Sequence, residues 1–253
     1  MKYVLTDQTI RYNGRTLYRI KALKDFSDIA KDELGGFVES YDNLSQHNNC
    51  WIYSYAKVYD NAEVFDGAKV YDNAEVYNNA KVYNNAKVYD NAEVYNNAEV
   101  YNNAEVFDDA EVFDGAKVFD GAKVYGIAQI YGKAQIYCKA QIYGRAEVYD
   151  KAKVFDNTEV YGDAKICANA IVCSDIKISN TNDILFINLA RYITFYRCED
   201  DIRCTIGCQH AITIEEFKER IYKDGNYTEV TLPKHRKDYL LAIEFAKKYF
   251  RVD

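Results

Sequence analysis

Residues 92–125 read AEVYNNAEVYNNAEVFDDAEVFDGAKVFDGAKVY, a six-residue phrase said over and over. The phrase, A-[KEQ]-[VI]-[YF]-[DNG]-[NGDKR], extends on both sides. From Tyr53 to Tyr161 every sixth residue is aromatic, each preceded by Val or Ile. An Ala stands two before that aliphatic residue in all but two phrases, where Cys50 and Thr158 fill the place. A fixed short period is the signature of a solenoid, and a period of six points to a parallel β-helix. Side chains alternate across a strand, so Ala and Val share one face and the charged and aromatic residues share the other. Small, uniform Ala and Val columns suit a narrow interior. The corner pairs Asp-Asn, Asp-Gly and Asn-Asn tolerate positive φ, which tight corners need.

Three phrases close one coil. Counting the Ala column from Val38 through Leu44, Cys50 and Ala56 to Ile176 gives eight coils, a rod about 38 Å long. Residues at the same place in successive coils then stack. Face one carries Tyr41, Tyr59, Tyr77, Tyr95, Phe113, Tyr131 and Tyr149. Face two carries His47, Phe65, Tyr83, Tyr101, Phe119, Tyr137 and Phe155. Face three carries Tyr53, Tyr71, Tyr89, Phe107, Tyr125, Tyr143 and Tyr161. Each face is expected to be an outward aromatic ladder. Stacked rings stabilise a coil by roughly 0.2–1 kcal/mol per cross-strand pair. A large exposed apolar face also marks a contact surface. Both readings stand, and the interaction candidates are Tyr59, Tyr77, Tyr95, Phe65, Tyr83, Tyr101, Tyr71 and Tyr89.

Charge is uneven along the rod. Residues 54–125 hold six Lys against fourteen Asp and Glu, whereas residues 126–155 hold five Lys and Arg against two acids. There Gln129, Gln135 and Gln141 replace the usual Glu or Lys. Lys133, Lys139, Arg145 and Lys151 occupy the corners, a candidate anion-binding belt. Duplication of a variant repeat accounts for the same pattern. On face two Glu63, Lys81, Glu99 and Lys117 alternate and are expected to pair along the stack. The chain as a whole is acidic, with net charge −7, which argues against direct nucleic-acid binding.

The ends differ from the rod. Residues 1–37 read as a β cap, with Asn13-Gly14 between two strand-like runs as a hairpin signal. Residues 38–180 are the β-helix. Residues 183–253 read as a small α+β module, with strands in ILFINLARYITFYRC and DIRCTIGC. Thr213 and Glu216 form a capping box opening one helix that stops at Gly225, and a second helix follows Pro233. Caps cover the open strand edges of a solenoid. No apolar run is long enough to span a bilayer, and the first residues lack an apolar signal core, so a cytoplasmic location is expected. The seven cysteines, at 50, 138, 167, 173, 198, 204 and 208, read as reduced thiols. Cys198, Cys204, Cys208 and His210 lie close in sequence, but their spacing fits a zinc site poorly. His47 is expected at the surface. No catalytic residue, metal or cofactor is assigned.

The phrase [VI]-x-x-x-A-x resembles the hexapeptide repeat of left-handed β-helix proteins, best known from acyltransferases. The resemblance implies a left-handed coil. In those enzymes it goes with trimers, a loop bearing a catalytic His, and an acyl-CoA or acyl-carrier site between subunits. Here residues 53–178 contain neither a loop insertion nor a His. LYRIKALKDF with GGFVESYDNLSQHNNCWIYSYAKVY, and TIGCQHAITIEEFKERI with YLLAIEFAKKYF, are similar to hexapeptide-repeat proteins of phages and bacteria that carry a transferase label. Three readings of function follow. The first is a non-catalytic solenoid scaffold that binds a protein partner, phage-encoded and acting on a host component, with self-association through flat faces. The second is an acyltransferase-like enzyme. The third is an acidic inhibitor imitating nucleic acid with rows of Asp60, Asp66, Asp72, Asp108, Asp114 and Asp120.

Overall fold

The computed structural model describes residues 1–198, 201–207, 209–223 and 232–252. Each phrase contributes a strand of only two residues, the charged residue and the aliphatic one, such as Lys57–Val58 or Glu93–Val94. Strands three phrases apart pair in parallel and in register: Lys57 with Glu75, Glu75 with Glu93, Glu93 with Glu111. Three parallel sheets result, and together they make a solenoid of about eight coils. Two bonds per face recur from coil to coil. The Lys57 amide donates to the Ala74 carbonyl at 3.0 Å, and the Tyr59 amide donates to Val76 at 3.1 Å. The chain turns between sheets through left-handed residues, among them Asp60, Asp66, Asp72 and Asn84 at φ between 47° and 58°. Asp and Asn accept that conformation at small cost, which is why they hold the corners.

The Ala and Val columns form the interior. Ala74, Val76, Ala92, Val94, Ala110 and Val112 are all fully buried. The core is therefore a strip of small aliphatic side chains running the length of the rod.

The N-terminal strands extend one of the parallel sheets. β1 (Tyr3–Tyr12) and β2 (Arg15–Ala22) form an antiparallel hairpin about Asn13-Gly14, both at positive φ as a tight hairpin turn requires. β2 pairs antiparallel with β3 (Leu34–Val38), and β3 then opens the parallel ladder by pairing with Lys57–Val58. Gly35 and Gly36 sit where cap and rod meet. A Cβ on Gly36 would lie 2.5 Å from the Ala56 carbonyl oxygen, so no side chain fits there.

The first coil departs from the expected count. Val38 pairs with Val58 and Leu44 bridges Val64, each two positions beyond the regular spacing of three phrases. Both therefore stand in the Val column, not the Ala column. The extra pair of residues lies in the corner before Cys50, since Trp51 and Ile52 pair normally with Lys69 and Val70. Tyr41 and His47 consequently leave their expected ladders. Tyr41 packs on the Tyr3 ring of the cap at 5.8 Å, and His47 stands exposed in the enlarged corner. The buried Lys2 ammonium fills that corner, donating to the Cys50 carbonyl at 2.7 Å and to those of His47 and Asn48 at 3.4 Å. Burial holds Lys2 below the ordinary lysine range.

At the other end four antiparallel strands, Ile184–Asn188, Tyr192–Arg197, Ile202–Ile206 and Gln209–Thr213, form a sheet. It closes the rod: Thr194 accepts the Ile171 amide at 3.0 Å, and the buried Tyr196 joins the rod's core. α1 (Ile214–Lys223) and α2 (Leu232–Phe250) cover the sheet with Phe217, Ile221, Ile243 and Phe250. Thr213 caps α1 as expected, accepting the Glu216 amide while the Glu216 carboxylate accepts the Thr213 amide. α2 begins at Leu232, one residue before Pro233 rather than after it. Pro suits the first turn, where its missing N–H is not needed. Gly225 and Cys208 lie outside the described residues.

Candidate interaction surface

The ladders are present on all three faces. Phe65, Tyr83, Tyr101, Phe119, Tyr137 and Phe155 stack with centroids 4.7–4.9 Å apart and planes within 10°. Tyr59, Tyr77 and Tyr95 continue through Phe113 and Tyr131 to Tyr149 in the same manner. Stacking covers both faces of each inner ring, so these rings are half-buried rather than open. Tyr59 is covered almost completely, 3% exposed, because Tyr12 of the hairpin packs edge-on against it. His210 of the C-terminal module closes the face-two ladder edge-on at Phe155.

The faces differ in what their phenols do. A tyrosine hydroxyl reaches the next coil and meets the residue sixteen positions ahead. Tyr59 donates to Glu75, Tyr77 to Glu93, Tyr95 to Glu111 and Tyr131 to Glu147 on face one, at 2.7–3.1 Å. Tyr83 donates to Glu99 on face two, and Tyr143 to Glu159 near the far end of face three. These hydroxyls are committed to the rod. On face three, Tyr71 meets Lys87 at that position, and neither Tyr71 nor Tyr89 has a hydroxyl partner among the described residues.

Face three also carries a groove of about 520 Å³ at its N-terminal end. Asp28 of the cap loop, Tyr53, Tyr55, Lys69, Tyr71 and Lys87 line it. Tyr53 does not stack on Tyr71; the two rings meet at 76°. Asp28 causes the break by drawing the Tyr53 hydroxyl to 2.8 Å and the Lys69 ammonium to 2.8 Å. Lys69 first, and Tyr53 after it, hold the Asp28 carboxyl well below the usual carboxylate range. The ring of Tyr71 is thus left without a parallel neighbour on one side. Tyr55, 67% exposed, stands at the rim. Asp28 lies outside the repeat, and Ser54 and Tyr55 fill the corner pair after Tyr53. The one sequence signal is Tyr55 itself, the single aromatic at a corner position that elsewhere in the array is nearly always Asn, Gly, Asp or a cation.

The basic residues of 126–155 do not converge. Lys133 and Lys151 stack on one corner, one coil apart, and Lys139 and Arg145 occupy the other two corners. Arg145 is engaged by Asp163 at 2.6 Å. The expected column pairs are formed on face two, Lys81 with Glu63 at 3.0 Å and Lys117 with Glu99 at 2.8 Å. Along the corners Asn side chains donate to the next coil, Asn78 to Asn96 and Asn96 to Asp114, Asn48 to Asp66, Asn102 to Asp120. The Asp rows are therefore interleaved with neutral amides.

Cys204 is buried, which pushes its thiol up to about 12, and His210 is engaged by Phe155. Among the described residues no group of three His, Cys, Asp or Glu could hold a metal, and no helix is long and apolar enough to cross a membrane. No protein-family model and no curated protein matches the chain.

Proposed function

We propose that the chain is a non-catalytic scaffold that holds a protein partner on face three, anchored in the groove beneath the Asp28 loop. One observation carries this reading. Face three combines a recess, a ring at Tyr71 met edge-on by Tyr53 instead of stacked, and hydroxyls at Tyr71 and Tyr89 with no partner among the described residues. On face one the hydroxyls are tied to Glu75, Glu93, Glu111 and Glu147. Aromatic rings with free polar tips are what interface hot spots use. Under the hexapeptide resemblance the coil is left-handed; residues 1–37 serve as a cap, residues 183–253 are a separate small module, and the partner is a host component met by a phage protein.

The test is affinity capture from a bacterial lysate with three baits: the native chain, Tyr55→Ser with Tyr71→Ser, and the face-one control Tyr131→Phe. The expected result is one stoichiometric protein retained by the native chain and the control and lost by the face-three variant. Equal capture by all three baits, or loss with the control alone, overturns the assignment to face three.

A further inference from the structure

α2 packs on the C-terminal sheet with one face only. Ala242, Ile243, Ala246 and Phe250 are buried, at most 6% exposed. A flank beside it is apolar as well: Leu241, Phe245 and Tyr249 are 52%, 54% and 39% exposed, and Val252 follows at 41%. Leu241, Phe245 and Tyr249 are spaced four apart, so they form one stripe along the helix. Large apolar side chains lined up in solvent mark a contact surface, whereas scattered ones do not.

The charges beside the stripe identify the occupant. Glu244 stands toward the middle of the helix, and Lys248 and Arg251 stand toward its end. We infer that α2 pairs antiparallel with α2 of a second copy of this chain. Antiparallel pairing sets Glu244 of each copy toward the basic end of the other, so the attraction is made twice. Parallel pairing would put Lys248 beside Lys248 and Arg251 beside Arg251. A groove of about 390 Å³, lined by Glu244, Lys247, Lys248, Arg251 and Val252, lies on the charged side of the helix next to the stripe. One helix per copy makes a small interface, so the dimer is weak, on the order of micromolar. It leaves face three free and does not depend on the partner proposed there.

Sedimentation velocity on the full chain, from about 1 to about 200 µM, reads this directly. The expected result is a concentration-dependent rise from 29.2 kDa toward twice that mass. Phe245→Glu should weaken the dimer at least about 30-fold, with far-UV circular dichroism unchanged. Glu244→Lys and Arg251→Glu should each weaken it, and the two together should restore it. A monomer at every concentration overturns the inference and leaves the stripe to a different protein. A dimer indifferent to Phe245→Glu, or a double variant no tighter than the singles, overturns it too.

Discussion

At the scale of single residues, phenylalanine occurs in the ladders only where no carboxylate lies one coil ahead. Phe65, Phe107, Phe113, Phe119 and Phe155 meet Lys81, Lys123, Gln129, Gln135 and Ile171 at the sixteenth position on. Wherever Glu stands there, as at Glu75, Glu93, Glu99, Glu105, Glu111, Glu147 and Glu159, the ring is tyrosine. A half-buried carboxylate gains from a donor, and Phe supplies none. Tyr95 donates to Glu111 at 2.7 Å, whereas the Tyr89 hydroxyl has no partner among the described residues. Tyr95→Phe should therefore cost about 1 kcal/mol, a fall in Tm of about 2–4 °C for a chain of this size. Tyr89→Phe should leave Tm unchanged. Thermal unfolding of the two variants side by side checks the assignment; equal shifts would show that the phenol–carboxylate bonds contribute nothing.

At the scale of elements, the ladders respond to alkali. Burial in the stack, and then the nearby carboxylates Glu105, Glu147 and Glu159, push Tyr89, Tyr131 and Tyr143 up to about 12. The ordinary tyrosine value is near 10. A group whose folded pKa lies above its unfolded one stabilises the fold fully below the unfolded value. That contribution is lost as pH rises through the folded value. Stability should thus hold to about pH 10 and fall between about 10 and 12. Phenolate absorbance near 295 nm, followed with Tm across that range, should show most ladder tyrosines ionising only as the fold gives way. Ionisation near pH 10 in a chain that stays folded would contradict the stacked, carboxylate-bonded arrangement.

The same scale shows what the sequence could and could not tell. The repeating elements were legible because Ala and Val columns, left-handed corners and paired charges all obey one period. The first coil was not, because its phrases lack Ala: Gly36 and Asp42 stand two before the aliphatics Val38 and Leu44. Nothing local marked the extra pair of residues before Cys50. What fixes them is Lys2, whose ammonium comes from nearly fifty residues away. The groove was illegible for a related reason. Tyr53 reads as an ordinary rung, and only Asp28, brought over by the cap, turns its ring out of the stack. The Glu partners of the committed phenols were present in the sequence, but an offset of sixteen is not a multiple of six and escapes a search for the period.

At the scale of the whole molecule, coils interact with their neighbours and with little else, so the number of coils is adjustable. Deleting Asn73–Asp90 removes one coil and joins Asp72 to Asn91, which restores the phrase. Lys57 and Tyr59 then meet Glu93 in place of Glu75. This shortened chain should fold cooperatively, with a rod about 4.8 Å shorter by small-angle scattering and a Tm lowered by only a few degrees. Failure to fold would mean that the coils are not interchangeable despite their sequences.

The direction of the hydrogen bonds has a mechanical consequence. Bonds such as Tyr77 to Val94 and Tyr95 to Val112 join one coil to the next, and so run along the rod. Tension applied between the two ends strains the junctions between coils in series, and the weakest opens alone. The chain within a coil runs across that axis and is loaded only after its junction has parted. Pulled lengthwise, the rod would give way in small, equal steps, one coil at a time, and would behave as an extensible tether whose stroke is set by the number of its turns.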